Sequence, residues 1–444
     1  MKSRPFQKIL LLDFWSEKNR GDAAMQKALI RLTRKYFPNA KLVICTAYGV
    51  NQLPDVLTQF DYSTKEGVGE IIGGLRFTYF PLNKGDLTRF RPLRIAIDLI
   101  GSLFGLLLLL TIMLRIPSTI LLKLLPSKLS RSLKHFIDSD LVIWNGRNFR
   151  GNSFIREPYE ILNLLFNPLV CIFLRKPIAC IGASVWELRN FLARVLLKFV
   201  FARTFFVSVR EDISLNNLTK LLGPKSRRIF LFPDLSFYTL NLTRLSKKIR
   251  LYTSRDLKIG LTLMDWKPGG VQARVNYIKA IRHLTNYLLN EMKAEILIIP
   301  QVTLPTESTN EIIHELFNGI NNKRISIIRK DLSIQKLINM YTNLDFLIAT
   351  RMHSAIFSLA AGTPVLAIAY DYGAKWGILK MLGVEEIVIN FNEITEKLLL
   401  DKFHWCWSQR HILLQTAQDN INRCYINVND HIRILKKEYE KYCS

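Results

Sequence analysis

Short apolar runs recur along this chain, each followed by a loop and then by a segment whose apolar positions repeat every three or four residues. The first, Ile9-Leu10-Leu11-Leu12-Asp13-Phe14, reads as a β-strand. A loop from Ser16 to Asp22 leads into a helix beginning near Ala23, with Ala24, Leu29, Ile30 and Leu32 at helical spacing. Residues 42–46 make a second strand, and residues 51–94 are rich in turn formers. Further strands are predicted at 140–144, 177–183, 205–209, 229–232, 259–263, 295–300, 325–328, 346–350 and 365–370. Helices fall between them: 158–174 with a break near Pro168, 186–201, and one capped by Asp212 or Ser214 that runs to Leu222 and stops at Gly223-Pro224. Later helices are predicted at 271–292, 308–317, 334–341, from Ser354, and at 375–382. Strands alternating with helices predict parallel sheets in both halves. The division expected is an N-terminal α/β domain over residues 1–240, a polar, basic linker at 241–255, a C-terminal α/β domain over 256–400, and a helical tail over 401–444.

One stretch breaks this rhythm. Residues 99–114 carry no charge, and the apolar character continues to Leu125, interrupted by Arg115, Pro117 and Lys123. A full membrane crossing needs roughly 20 apolar residues, which this run does not reach. Arg89, Arg91 and Arg94 precede it, and Lys123, Lys128, Arg131 and Lys134 follow. Basic flanks on both sides keep both ends on the cytoplasmic side. The expectation is an apolar helical insertion over 95–126, re-entrant or interfacial, in the N-terminal domain. A buried core helix and a crossing helix are the alternatives.

Composition narrows the partners. Lys and Arg number 62 against 36 Asp and Glu, a net charge of +26. Such an excess favours phosphorylated metabolites, nucleic acid or an anionic membrane surface. No nucleic-acid-binding signature appears, so no nucleic-acid partner is expected. The 6 cysteines form no CxxC pair, and Cys45, Cys171 and Cys180 lie in apolar runs, which fits reduced thiols and a cytoplasmic location. The apolar run at Ile9–Leu12 is cut by Asp13, too short for a signal-peptide core.

The candidate chemistry sits where strands end. Leu344-Asp345-Phe346-Leu347-Ile348-Ala349-Thr350 runs into Arg351-Met352-His353. Read as an extended strand end, Arg351 and His353 stand at i and i+2 and share a face. An always-charged fork beside an imidazole suits an anionic substrate and proton transfer. Arg351 pairing a structural carboxylate, and His353 capping the next helix, are the plainer alternatives. Ser208-Val209-Arg210 repeats the pattern of strand end and arginine, so Arg210 and Arg351 could converge on one ligand across an interdomain cleft. In Asn19-Arg20-Gly21-Asp22, Gly21 permits a tight turn and the helix amides could take an anion, while Asp22 could simply cap the helix. Lys375, after Tyr370-Asp371-Tyr372-Gly373-Ala374, lies past another strand end.

With these residues in their order, the chain resembles the polysaccharide pyruvyl transferase family. The resemblance rests on Asn19-x-Gly21-Asp22, Ser208-Val209-Arg210 with Ser214, Pro233-Asp234, Arg351-x-His353, Ala361-Gly362-x-Pro364-Val365, Tyr370 and Lys375. It covers roughly residues 9–50 and 140–383. It implies two Rossmann-like domains facing a cleft, similar to GT-B glycosyltransferases, the first on the acceptor side and the second on the donor side. It also implies transfer of pyruvate from phosphoenolpyruvate to a sugar diol, giving a cyclic ketal. On that reading Arg210, Arg351 and the Met352 amide hold the donor, and His353 is the general acid. Asn19, Gly21, Asp22 and Lys375 complete the substrate site. No cofactor and no metal are expected, since no metal-ligand cluster is visible. The partners would be phosphoenolpyruvate, a glycan or lipid-linked sugar acceptor, and a membrane surface on the inner face of the plasma membrane. Two departures stand out: Asn145-Gly146-Arg147-Asn148 replaces the usual glycine cluster, and the apolar insertion lies outside the family pattern. Competing readings are a nucleotide-sugar glycosyltransferase and a non-catalytic membrane-associated protein of envelope biogenesis.

Overall fold

A computed structural model of the chain describes residues 8–75, 91–151, 153–223, 228–242, 257–304, 309–318, 322–370 and 373–443, apart from the side chains of 91–100, 102 and 242. The linker expected at 241–255, Pro224, Asp371 and Tyr372 fall wholly or largely outside the described residues.

The chain divides into two units. The first holds the residues up to Glu17, Gln26–Leu235 and those from Val428 on; the second holds Lys18–Met25 and Ser236–Asn427. In the first, the strands are β1 (Lys8–Phe14), β2 (Lys41–Gly49), β3 (Glu70–Gly74), β4 (Leu141–Asn145), β5 (Asn148–Phe149), β6 (Ile178–Val185), β7 (Phe206–Val209) and β8 (Ile229–Leu231). They form a sheet in the order β3-β2-β1-β4-β6-β7-β8, with β5 paired to β6. Ile9 pairs with Leu42 on one side and Leu141 on the other, both in parallel. The central strands are buried on both faces, which is why they read as unbroken apolar runs rather than alternating ones. The second unit repeats the plan with β9 (Lys258–Thr262), β10 (Glu295–Ile298), β11 (Ile325–Ile327), β12 (Phe346–Ala349), β13 (Val365–Ala369) and β14 (Val388–Asn390), ordered β11-β10-β9-β12-β13-β14 and parallel throughout. In each sheet the strand order reverses once, between β1 and β4 and between β9 and β12. The carboxyl edge at such a reversal is where open α/β sheets bind ligands.

Several expectations are corrected. Strand β3 lies in the stretch of turn formers; in its sequence Glu-Ile-Ile-Gly-Gly only the two isoleucines favour a strand, and a Cβ on Gly73 would overlap the Val50 backbone. The Glu157–Phe173 helix runs through Pro168 without ending there, because the residues around it are buried against neighbouring helices. Packing there outweighs a helix cost of about 3 kcal/mol. The helix expected from Trp186 starts instead at Phe191, where Asn190 accepts the Leu192 amide. Neither Asp212 nor Ser214 caps the Asp212–Leu222 helix: Glu211 occupies the N-cap, and Ser214 Oγ takes the Val185 amide at 2.7 Å.

The apolar insertion packs in part into the core of the first unit. It forms the Arg91–Met113 helix and the short Ser118–Leu124 helix. Leu108, Leu109 and Ile112 belong to the core of the first unit, and Gly105 lies beneath the Phe166 ring of the Glu157–Phe173 helix. Among the described residues no helix is long and apolar enough to cross a membrane.

Candidate active site

In the second unit, β12 ends at Ala349 and delivers Arg351 to the carboxyl edge beside β9, at the reversal of strand order. Arg351 is extended (φ −130°, ψ 131°) and occupies the N-cap of the Met352–Ala360 helix. His353 therefore stands in the first turn of a helix, not at i+2 of a strand, and the shared-face argument does not apply to it. Helical rotation of about 100° per residue sets its direction instead. Met352 opens that helix, so its amide lies at the positive end of the peptide dipoles.

Arg351 is only 6% exposed. Its charge acts on two buried phenols, Tyr277 and Tyr341, whose pKa values are raised by burial and partly lowered again by neighbouring hydrogen bonds and by the guanidinium. The Tyr277 hydroxyl meets Thr350 Oγ1 at 2.8 Å, and the Tyr341 hydroxyl donates to Gln301 Oε1 at 3.0 Å.

Gln301 ties this cluster to the segment around Gly21. The Arg20 amide donates to the Gln301 carbonyl at 3.3 Å, Asn19 bridges Val302 in antiparallel fashion, and the Thr303 amide donates to the Lys18 carbonyl at 3.1 Å. The Arg20 guanidinium pairs with Asp331, which also accepts from Thr303 Oγ1 at 2.8 Å. The helix that follows runs Arg20–Tyr36, starting three residues earlier than Ala23. Asn19 Oδ1 accepts the Gly21 amide at 3.1 Å, which is the capping bond, so Asp22 lies inside the first turn rather than at the cap. The consequence for the site is steric: Gly21 packs directly against the His353 imidazole, and a Cβ at that position would overlap the ring. Phe357 meets the same ring edge-on at 6.1 Å.

The neighbouring strands supply aromatic walls. Trp266 follows β9 and Tyr370 follows β13, the two strands that flank β12, and their rings lie 4.9 Å apart. Lys375 is held in the Ala374–Trp376 turn with its ammonium 3.9 Å over the Tyr370 ring, and the Trp376 indole donates to the Tyr370 carbonyl at 2.9 Å. Trp266 had no sequence signal beyond its place just after a strand. An open pocket of about 420 Å³ beside β14, lined in part by Glu393, Asp401, Lys402 and Trp405, includes none of these residues.

Asn19, Gly21, Asp22, Arg351, Met352, His353 and Lys375 thus all belong to the second unit; Arg210 belongs to the first. Arg210 follows β7, with Nε donating to Ser184 Oγ and Nη1 to Asp234 Oδ2, both at 2.7 Å. Glu211 stands 3.6 Å away, its pKa raised to about 7 by burial despite that cation. Ser208 accepts the Gly182 amide at 3.0 Å and meets His431 Nδ1 at 2.8 Å, while His431 Nε2 meets the Pro233 carbonyl at 2.7 Å. The Ser208-Val209-Arg210 and Pro233-Asp234 motifs therefore make one buried polar knot.

At the reversal of the first sheet, the sequence reading left three residues unassigned. Asp13, left-handed at φ 61°, accepts from the Trp144 indole at 2.8 Å and from Asn167 at 3.1 Å. Arg147 lies 3.7 Å from its carboxylate and stacks 4.2 Å over Trp15. Among the described residues, no three His, Cys, Asp or Glu side chains group closely enough to hold a metal ion.

Two parallel α/β units, each with its candidate residues at the carboxyl edge, define a two-domain Rossmann-like protein of the GT-B kind. The whole-chain likenesses agree. A putative UDP-N-acetylglucosamine 2-epimerase from Listeria monocytogenes matches over 98% of this chain and 97% of its own, with a TM-score of 0.58 and 13% identity. A glycosyltransferase from Rickettsia africae matches over 99% of both chains, with a TM-score of 0.53 and 13% identity. At such identities the likeness is one of fold. The profile of the polysaccharide pyruvyl transferase family matches residues 19–372, and the chain belongs to that family. The amylovoran biosynthesis protein AmsJ of Erwinia amylovora is 22% identical over 264 residues, a match that covers 57% of this chain and 63% of that protein.

Proposed function

We propose that the chain is a pyruvyl transferase that moves pyruvate from phosphoenolpyruvate to a sugar diol of a cell-surface polysaccharide or its lipid-linked precursor, forming a cyclic ketal. The observation that carries this reading is Gly21 packed against His353 beside the buried Arg351, at the strand-order reversal of the second unit. Phosphoenolpyruvate presents a carboxylate and a phosphate; Arg351, Lys375 and the Met352 amide of the second unit supply the positive field to receive them. His353 as imidazolium gives its proton to the methylene carbon, and C2 becomes electrophilic. One sugar hydroxyl forms a C–O bond there and loses its proton. The second hydroxyl forms the other C–O bond as the bond to phosphate breaks; its proton goes to the departing phosphate, the first hydroxyl's proton having returned to His353, so inorganic phosphate leaves and the ketal closes. General acid catalysis of this kind contributes about 10²–10⁴-fold.

Within the first unit, Arg147 over Trp15 at the strand-order reversal makes a polar, aromatic edge suited to a sugar. Cys45, Cys171, Cys180 and Cys406 are buried free thiols, which supports a reducing compartment, and we place the reaction on the cytoplasmic side, with no cofactor beyond the donor substrate.

Phosphate release from phosphoenolpyruvate against a panel of sugar acceptors tests the reading. The parent should release phosphate only when an acceptor is present. His353→Ala should bind the donor and lose about 10²–10⁴-fold in turnover. Unchanged turnover in that variant rejects the acid, and turnover of a nucleotide sugar without any from phosphoenolpyruvate favours the glycosyltransferase reading.

A further inference from the structure

From Leu103 to Met113 the Arg91–Met113 helix carries no charge, yet only one side of this part is buried. Gly105, Leu108, Leu109 and Ile112 face the Glu157–Phe173 helix and the core. Leu103, Leu107, Leu110 and Met113, spaced three or four apart on the other side, are each about half exposed. A globular helix normally turns charged residues to water there.

The same feature recurs two helices away. The Glu157–Phe173 helix packs between the Arg91–Met113 helix and the Phe191–Phe201 helix, so the three lie side by side. Phe191 is 72% exposed at the start of the last, with Leu192 and Val195 exposed behind it. Phe154 and Ile155 join them, held close by the bond from Asn190 Nδ2 to the Phe154 carbonyl at 3.0 Å. This patch adjoins the carboxyl edge of the first sheet, where Arg150 stacks over Trp186 and the Trp186 indole donates to Asn148.

Charge selects the occupant. No Asp or Glu occurs between Asp98 and Asp138, a stretch that holds Arg115, Lys123, Lys128, Arg131 and Lys134. None occurs between Glu187 and Glu211, where Arg189, Arg194, Lys198 and Arg203 lie. Around these exposed leucines and phenylalanines basic residues outnumber acidic ones, even with Glu160 and Glu187 close in sequence and Arg131 paired to Glu70, which matches the boundary between acyl chains and anionic headgroups. A second copy would bring two basic faces together and be repelled, and nucleic acid offers nothing to cover the leucines.

We propose that this flank of the first unit is a membrane-docking face: the exposed sides of the Arg91–Met113 and Phe191–Phe201 helices lie in the surface of an anionic leaflet without crossing it. The docking brings the carboxyl edge of the first sheet to the membrane plane, where a lipid-linked sugar presents its head. The docking itself does not depend on the chemistry proposed above; only this use of it rests on that reading.

The experiment is co-sedimentation of the full chain with vesicles of phosphatidylglycerol and phosphatidylcholine, against phosphatidylcholine alone, at low and high salt. The parent should bind the anionic vesicles and retain part of that binding at high salt. Leu107→Glu and Phe191→Glu, both at exposed positions, should keep the parent's melting temperature and each weaken binding by about tenfold. The proposal is overturned if the parent ignores anionic vesicles, or if both variants bind as the parent does, leaving bare charge as the cause. It is also overturned if the parent is a dimer that these variants dissolve, which would make a second copy the occupant. Phosphate release with a water-soluble acceptor should be equal in parent and variants. No release in any of them, with vesicle binding intact, would reject the transferase reading and leave the docking face standing.

Discussion

A single methyl group at Gly21 separates the structural from the chemical role of its loop. Its Cβ would overlap the His353 imidazole, while the Asn19 cap and the antiparallel pairing with Val302 use only backbone and Asn19 atoms. Gly21→Ala should therefore keep the fold and displace the imidazole. The expected result is a melting temperature within a few degrees of the parent and a loss of turnover of about 10²-fold, since small misplacements of a catalytic group cost that much. Equal turnover would show that the imidazole position is not critical. The motif Asn19-x-Gly21-Asp22 was legible as a turn followed by a helix. That its glycine exists to make room for a histidine more than 300 residues away was not, because no local pattern encodes a contact that only the folded chain creates.

Among the elements, the C-terminal Asp430–Cys443 helix is pinned to the first unit by His431. The Gly182 amide donates to Ser208 Oγ, so the hydroxyl proton is directed at His431 Nδ1 and the Nε2 hydrogen at the Pro233 carbonyl. Burial lowers the His431 pKa from 6.5 to about 4. Between those values the unfolded chain binds a proton that the folded chain refuses. The stabilisation is complete above 6.5 and declines as pH falls toward 4, by on the order of 3 kcal/mol. Glu211, its pKa raised from 4.5 to about 7, acts in the opposite sense: stability from it is full below 4.5 and declines as pH rises through 7. His431→Gln should lower the melting temperature at about pH 7.5 and show a smaller deficit at about pH 5. A deficit independent of pH would mean that the imidazole is not titrating in the unfolded chain alone. The tail was legible as one or two helices from its apolar spacing. Its split between units was not, since Glu396–Asn427 and Asp430–Cys443 are separated by only two residues with no proline or glycine between them.

For the molecule as a whole, the chain passes between the units more than once, so neither unit is a continuous segment. A chain ending at Asn427 would lose Ile432 and Leu435, both fully buried, and the Tyr439 ring against Phe205. Burying such side chains contributes about 1.5–3 kcal/mol each, comparable in sum to the entire margin of a typical domain. That truncated chain is expected to be insoluble or to melt well below the parent; a melting curve equal to the parent's would show the last helix to be dispensable.

Most strands and helices, the two parallel sheets and the family motifs were settled by the sequence itself, because buried parallel strands must be apolar on both faces and helices must keep their own period, whereas β3, β5 and β14 were not. Arg351-Met352-His353 was visible as a candidate for the same reason, since an arginine and a histidine end an apolar run there. Which atoms meet was decided only by the tertiary structure. It took the assembly of each sheet to bring Trp266 against Tyr370, to set Arg147 over Trp15, to press Gly21 against His353, and to leave one side of the Arg91–Met113 helix uncovered. Local period determines what a segment becomes, whereas the contacts that make a site depend on strand order and on chain crossings far apart in sequence.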